Sequence, residues 1–389
     1  MLPSMLRRLH DFSRRLVVRV ALITALAFLA LALSKVGARV IPEGLDPLVG
    51  GEAVDNILKI IANSMLTVTT FSLTVMAAAH RMVASSWTPR AHQMLLQDTV
   101  THTVLATFVG AYLYALSAII LRDLEVFQGR GLVVLFGMTV LVVALIVIAI
   151  IRWISHLEML GSLINTAQRI EDSTVQAMRM RMCHPALGAH ALDPEKVPEE
   201  AEEVRAERSG YLQQIYQDRL QAAAKDHEAE VWLLHPVGGF VHRGEVLARI
   251  SGGGEALADK VRENAALGSL RNFDQDPGFG LTCLSEIGVR ALSPGVNDPG
   301  TALDVLHRIL RIALDTEGEA PEEVRLDRLY LPPLDRGALV QEALLPLMLD
   351  GAERPELARP FARALEALAG QQDAALSDAA RQLEVATRR

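Results

Sequence analysis

The sequence predicts an α-helical membrane protein: four transmembrane helices, then a cytoplasmic α+β domain that contains a small barrel-sandwich-like β module and closes with C-terminal helices. Three observations carry this. Half of the 389 residues are hydrophobic, which is high for a soluble chain and directs attention to membrane spans. Four apolar runs, at about 16–40, 57–83, 100–121 and 131–154, each reach the roughly 20 residues that a helix needs to cross the hydrocarbon core. From about residue 210 the pattern turns strand-like, with glycine turns, before helical spacing returns. The expected domains are a transmembrane part at 1–156, a helical extension with an acidic linker at 157–208, a β-rich module at 209–255 and a helical cytoplasmic domain at 256–389.

The first apolar run follows Arg7, Arg8, Arg14, Arg15 and Arg19. It is too long for the core of a signal peptide and no small-x-small cleavage site follows it, so it reads as a retained anchor. Arginines on the N-terminal arm and at Arg81 and Arg90 put that arm and the second-to-third connection on the cytoplasmic side. With four spans, both termini are then cytoplasmic.

The second run contains "SMLTVTTFSLTV", six hydroxyl side chains between Ser64 and Val75. On a helix Asn63, Thr67, Thr70 and Thr74 recur at steps of four, three and four and form one stripe, extended by Ala77 and Arg81. Two uses fit such a stripe: close helix packing through small polar residues, or the lining of a pore once several copies assemble. The third run, with Thr107, Gly110 and Ala111, offers a small patch for a neighbouring helix. The fourth is almost purely aliphatic and reads as lipid-facing, with Arg152 and Trp153 at the interface.

In the connection "MVASSWTPRAHQMLLQD", Pro89 breaks the helix and Asp98 or Thr99 caps the next one. Arg81, Arg90 and Asp98 are the candidates for a gate or an interface anchor. After the fourth run no breaker occurs before Pro185, so the span is expected to continue as one long helix. "LDPEKVPEEAEEVRAERSG" reads as a linker or short surface helix.

"PVGGFVHRGEVLARI" looks like half of a biotinyl-lipoyl type barrel-sandwich. It lacks the lysine on which such carriers are modified, so no biotin or lipoate is expected. In "RNFDQDPGFGLTCLSEIGVRALSPGVNDPGTALDVLHRIL", Asp276-Pro277 and Asp298-Pro299 each join a capping carboxylate to a proline at the first helical position. Asp274, Asp276, Arg290, Asn297 and Asp298 are candidates for a small polar site; capping and turn formation account for the two Asp-Pro pairs without a ligand. The tail from Glu317 reads as two to four amphipathic helices.

These stretches, with "TFSLTVMAAAHRMVASSWTPR", "FVGAYLYAL" and "GFVHRGEVLA", resemble a bacterial predicted-membrane-protein family, domain of unknown function 2254. The resemblance runs from the first spans to about Leu314. It covers a "TFS" helix, a Ser/Thr-Pro-Arg turn and an "ALSP-x-x-NDP-x-TA" segment, with Thr88 before Pro89 and Gly300 after Asp298-Pro299. It implies a multi-pass protein of the bacterial cytoplasmic membrane and brings no assigned activity.

The net charge of −8, with no long basic cluster in the soluble part, argues against nucleic acid as a partner. The chain lacks G-x-S-x-G, a Walker loop and H-E-x-x-H, and its two cysteines, Cys183 and Cys283, form neither a disulfide framework nor a zinc site. No enzyme activity, cofactor or metal is therefore expected. The function expected is a homo-oligomeric channel or transport pore for ions or a small solute. In this reading the hydroxyl stripe lines the pore and the cytoplasmic domain regulates it. The alternative is a membrane-anchored scaffold or sensor whose cytoplasmic domain binds a partner or small ligand.

Overall fold

The structure, a computed structural model, describes residues 16–37, 51–86, 88, 90, 99–125, 130–159, 163–316 and 323–387. The chain divides into two compact units. One takes residues 1–86 and 92–162, the other residues 87–91 and 163–389.

The first unit is helical: α1 (Leu16–Gly37), α2 (Gly51–Ser86), α3 (Thr99–Asp123) and α4 (Arg130–Met159). Three stretches are long and apolar enough to cross a membrane, Gly51–Ala79, Thr103–Asp123 and Gly131–Leu157. At ~1.5 Å per residue even the shortest extends ~30 Å. Its core gathers Val54, Leu58, Ile61 and Met65 from α2, Phe108 and Tyr114 from α3, and Leu135, Val142 and Trp153 from α4. The small patch expected on the third run accepts α1: a Cβ on Gly110 would lie 2.7 Å from that of Ile23. Tyr114 and Thr139 share a buried hydroxyl hydrogen bond of 3.0 Å, and Thr101 meets His156 at 3.1 Å. These pairs satisfy polar groups that lipid would leave bare. Arg122 donates to both oxygens of Asp55 at 3.0 and 3.2 Å.

One feature of the fourth run differs from expectation. Trp153 is buried rather than held at an interface, because it shares the inward face of α4 with Leu135, Val142, Ile146 and Ala149. Only the opposite face, with Leu141, Val147, Ile148 and Ile151, is exposed. Along the expected continuous helix the described residues are helical on both sides, as α4 and as α5 (Leu163–Cys183); the residues between, 160–162, lie outside the described residues.

The second unit combines two sheets with helices. In chain order it holds β1 (Ala189–Ala191), β2 (Glu202–Arg205), β3 (Gly210–Ile215), α6 (Gln217–Asp226), β4 (Val231–Leu233), β5 (Phe240–Val241), β6 (Val246–Ile250), α7 (Gly254–Asn264) and β7 (Ala265–Gly268). After these come α8 (Pro277–Leu292), α9 (Pro299–Leu314), β8 (Leu326–Leu331), α10 (Arg336–Asp350), α11 (Pro355–Ala369) and α12 (Ala374–Thr387). The five-stranded sheet runs β1-β8-β4-β6-β2 and the three-stranded sheet β5-β3-β7. β8 lies parallel to both β1 and β4; the other pairings are antiparallel.

The strands of 209–255 are thus shared between two sheets that also take in β1, β2, β7 and β8. Gly244, at φ +84°, turns the chain between β5 and β6, which belong to different sheets. The acidic stretch read as linker or helix supplies edge strand β2, where only Val204 points inward and three charged side chains face out. Charges of this kind keep an exposed edge from pairing with another chain.

Both sheets bury one core, with Leu212, Ile215, Val231, Leu233, Val241, Leu247, Ile250 and Leu329 at its centre. The helical side is organised around α8, which packs on α5, α9 and α10. Three helices and one strand make up the described part of the tail.

Candidate functional site

The hydroxyls of α2 divide into two sets. Val54, Leu58, Ile61, Met65, Thr69 and Ser72 form the buried face, and Thr69 donates to the Met65 carbonyl at 2.6 Å. The Ser72 hydroxyl is fully buried and has no hydrogen-bond partner among the described residues. Asn63, Thr67, Thr70 and Thr74 are all exposed. At ~100° per residue they centre on the side opposite the buried face. Their hydroxyls turn back onto their own helix: Thr67 donates to the Asn63 carbonyl at 3.3 Å, Thr70 to Thr67 at 2.9 Å and Thr74 to Thr70 at 2.9 Å. Such bonds reduce the cost of a hydroxyl on an apolar surface. Among the described residues the Asn63 carboxamide has no hydrogen-bond partner, and it stands near the middle of the 29-residue apolar stretch. Exposed Leu66, Phe71 and Leu73 flank the stripe.

Arg81 is exposed and its Nε donates to the Ala77 carbonyl at 3.2 Å. Arg90 belongs to the short segment grouped with the second unit, and its guanidinium pairs with Glu286 on α8. Thr88, two residues earlier, is buried. Asp98, expected as a possible partner for Arg90, lies outside the described residues. With 51% of the Arg90 side chain exposed, the pair contributes at most about 1 kcal/mol.

The five residues of the expected cytoplasmic polar site do not converge. Asp274 is exposed and Asp276 caps the start of α8, whereas Arg290, Asn297 and Asp298 cluster around its other end. Sixteen residues of helix separate the groups by ~24 Å. Among the described residues no set of three or more His, Cys, Asp or Glu is placed to hold a metal ion.

Each group has its own structural work. Asp298 accepts from the Thr301 amide at 3.0 Å and its hydroxyl at 2.5 Å. The Thr301 hydroxyl, then the amide, holds this carboxyl below its ordinary range. Asn297 adopts φ +51° and accepts from Arg354 at 2.9 Å, while Arg354 also donates to the Leu292 carbonyl at 2.6 Å. Asp298→Ala is expected to lower stability by about 1 kcal/mol at neutral pH, the usual worth of an N-cap. Because the folded-state carboxyl is depressed, its contribution is complete above the unfolded value and is lost as pH falls through the folded one. Urea unfolding of wild type and variant should therefore differ at pH 7 and converge below roughly pH 4.

Asp276 is the most elaborately held of the candidates. It is 4% exposed, accepts from the Phe279 amide at 3.1 Å and receives two bonds from Arg271 at 2.7 and 2.8 Å. Burial, the largest single influence, would lower Arg271, but the bond to Asp276, its charge and weaker neighbouring charges together outweigh it and the guanidinium sits above its ordinary value. Arg181, also buried, is lowered to about 10 by desolvation, opposed by the charge of Asp276. Gly238, at φ +89°, passes so close that a Cβ there would overlap the Asp276 carboxylate. Cys283, about two turns further along α8, is a free, buried thiol pushed up to about 12 by burial. It is therefore a poor nucleophile at neutral pH. Sequence reasoning singled out Asp276 but missed Arg271, Arg181 and Glu286. The arginine five residues before the Asp-Pro pair was the available signal.

The model of the family described as "Predicted membrane protein (DUF2254)" matches residues 12–367, which takes in all three apolar spans and both sheets. The chain belongs to the DUF2254 family. Two DUF2254-like relatives are the uncharacterized protein Rv1290c of Mycobacterium tuberculosis and the uncharacterized protein Mb1321c of Mycobacterium bovis. Each is 26% identical over 291 residues, covering 70% of this chain and 54% of the relative. The chain thus spans about half the length of the curated relatives it matches. No solved structure matches it.

Proposed function

We propose that this DUF2254 protein is a homo-oligomeric channel or transport pore of the bacterial cytoplasmic membrane. In this reading α1 is a fourth span, both termini and the sheet-containing unit are cytoplasmic, and the α2 face bearing Asn63, Thr67, Thr70 and Thr74 lines a water-filled path. The observation that supports it is the position of Asn63. An unpaired carboxamide near the middle of an apolar stretch, on the face turned away from the unit's own core, would cost several kcal/mol against lipid. Water, or the same face of another copy, removes that cost. Polar groups retained at such depth in a membrane are functional by default.

The test is ion flux from liposomes holding the purified protein, with its oligomeric mass measured in parallel. Thr70→Leu exchanges a hydroxyl for an isobutyl group on the face proposed to line the path. A barrier raised by ~1.4 kcal/mol lowers flux about tenfold, with the oligomer intact. Absence of flux, with a stable oligomer that Thr70→Leu weakens, would make the stripe a helix contact and favour the scaffold or sensor reading.

A further inference from the structure

The helical side of the second unit carries a groove unrelated to the α2 stripe or the Asp-Pro turns. It lies between α9 and α11, has a volume of about 360 Å³, and is floored by Leu303, Leu310 and Pro360. Its polar lining is His307 from α9 and Arg359 with Arg363 from α11, all three exposed.

Arg359 and Arg363 are four residues apart and so share one face of α11, where like charges repel. Elsewhere in this unit arginines, exposed Arg311 among them, hold carboxylates: Arg271 with Asp276, Arg308 and Arg311 with Glu171, and Arg336 with Asp373. Arg359 and Arg363 hold none among the described residues. Asp304, the acid of α9 nearest in sequence to His307, is occupied by Arg308 at 2.6 Å. A chain with a net charge of −8 thus keeps two unpaired guanidiniums and an exposed imidazole around an apolar floor.

We propose that this groove binds a phosphate group carried by an apolar moiety. Two guanidinium forks and an imidazole line the same groove as donors, and a phosphate has enough oxygens to accept from all three, whereas a carboxylate is filled by one fork. The volume falls in the range of small-molecule sites, and the leucines and proline supply the surface on which the apolar part rests. The same chemistry is offered by a soluble phosphorylated metabolite and by a phospholipid headgroup. The inference does not depend on conduction.

The test is calorimetric titration of the full chain in detergent with phenyl phosphate at low salt. Saturable one-to-one binding is expected, weakened at least ~tenfold by Arg359→Gln with Arg363→Gln, since each charge-assisted bond lost costs that much or more. His307→Glu places a carboxylate beside both arginines and should abolish binding while keeping or raising the melting temperature, so the inference stands or falls even if the double variant misfolds. No saturable binding to wild type, or undiminished binding by a folded His307→Glu variant, overturns it. Repeating the titration in nanodiscs assigns the source. Binding lost in phosphatidylglycerol discs but kept in phosphatidylcholine discs identifies a headgroup, and binding kept in both identifies a soluble phosphate.

Discussion

Asp276→Ala is expected to destabilise the sheet-containing unit by about 3–5 kcal/mol, several times the cost of a lost helix cap. The carboxylate is buried, caps α8 through the Phe279 amide, and neutralises Arg271 through two bonds under 3 Å. Its charge also opposes the desolvation of buried Arg181. Alanine would deprive half-buried Arg271 of its ion-pair partner and buried Arg181 of the charge that opposes its desolvation. Amide hydrogen exchange along α8, in the full chain, measures the loss where it occurs. Replacing Arg271 and Asp276 together by leucine should cost less than Asp276→Ala alone, because the pair's own desolvation penalty disappears with it. A single-variant loss of only about 1 kcal/mol would reduce Asp276 to a cap.

Glu171→Ala should have a comparable effect by the same physics at a different joint. Glu171 lies on α5 and is 5% exposed. One oxygen receives Arg308 at 2.6 Å and Arg311 at 2.9 Å, and the other receives Arg311 at 2.7 Å. Arg308 is itself 4% exposed, and retains only Asp304 and Gln168 when Glu171 is removed. The expected loss is again about 3 kcal/mol or more, confined to the docking of α5 on α9. Limited proteolysis near the end of α5 should accelerate in Glu171→Ala, and Glu171→Gln, which keeps an acceptor, should fall between it and wild type. Equal protection of all three proteins would mean that apolar burial on α5, with Ala167 and Ile170, carries the joint.

What the sequence made legible follows from how local each signal is. The apolar runs and the two Asp-Pro starts are written in consecutive residues, and α8 begins at Pro277 and α9 at Pro299, with the expected carboxylates capping both. The stripe of Asn63, Thr67, Thr70 and Thr74 is helical geometry, and its common exposure follows from that geometry. Non-local pairings were illegible. β8, "LDRLYL", sits in a stretch dominated by helix formers and is a strand because β1 and β4 flank it. β2 is mostly charged and pairs at a sheet edge. Trp153 shows a third kind of difficulty, since an aromatic at the end of an apolar run fits either an interface or a core, and only the neighbouring helices decide. The polar site does not form a cluster because α8, whose start at Pro277 the sequence indicates, runs sixteen residues and holds Asp276 and Asp298 at opposite ends.

The central claim is that the outward face of α2 meets water within the membrane. Single cysteines at Asn63, Thr70 and, as a lipid-side control, exposed Phe71, placed in a chain with Cys183→Ser, can be tested in proteoliposomes with a charged, membrane-impermeant thiol reagent. Only a thiol that water reaches can ionise and react. The account predicts rapid modification at positions 63 and 70 and little at 71. Modification at none of the three, or preferentially at 71, would contradict it.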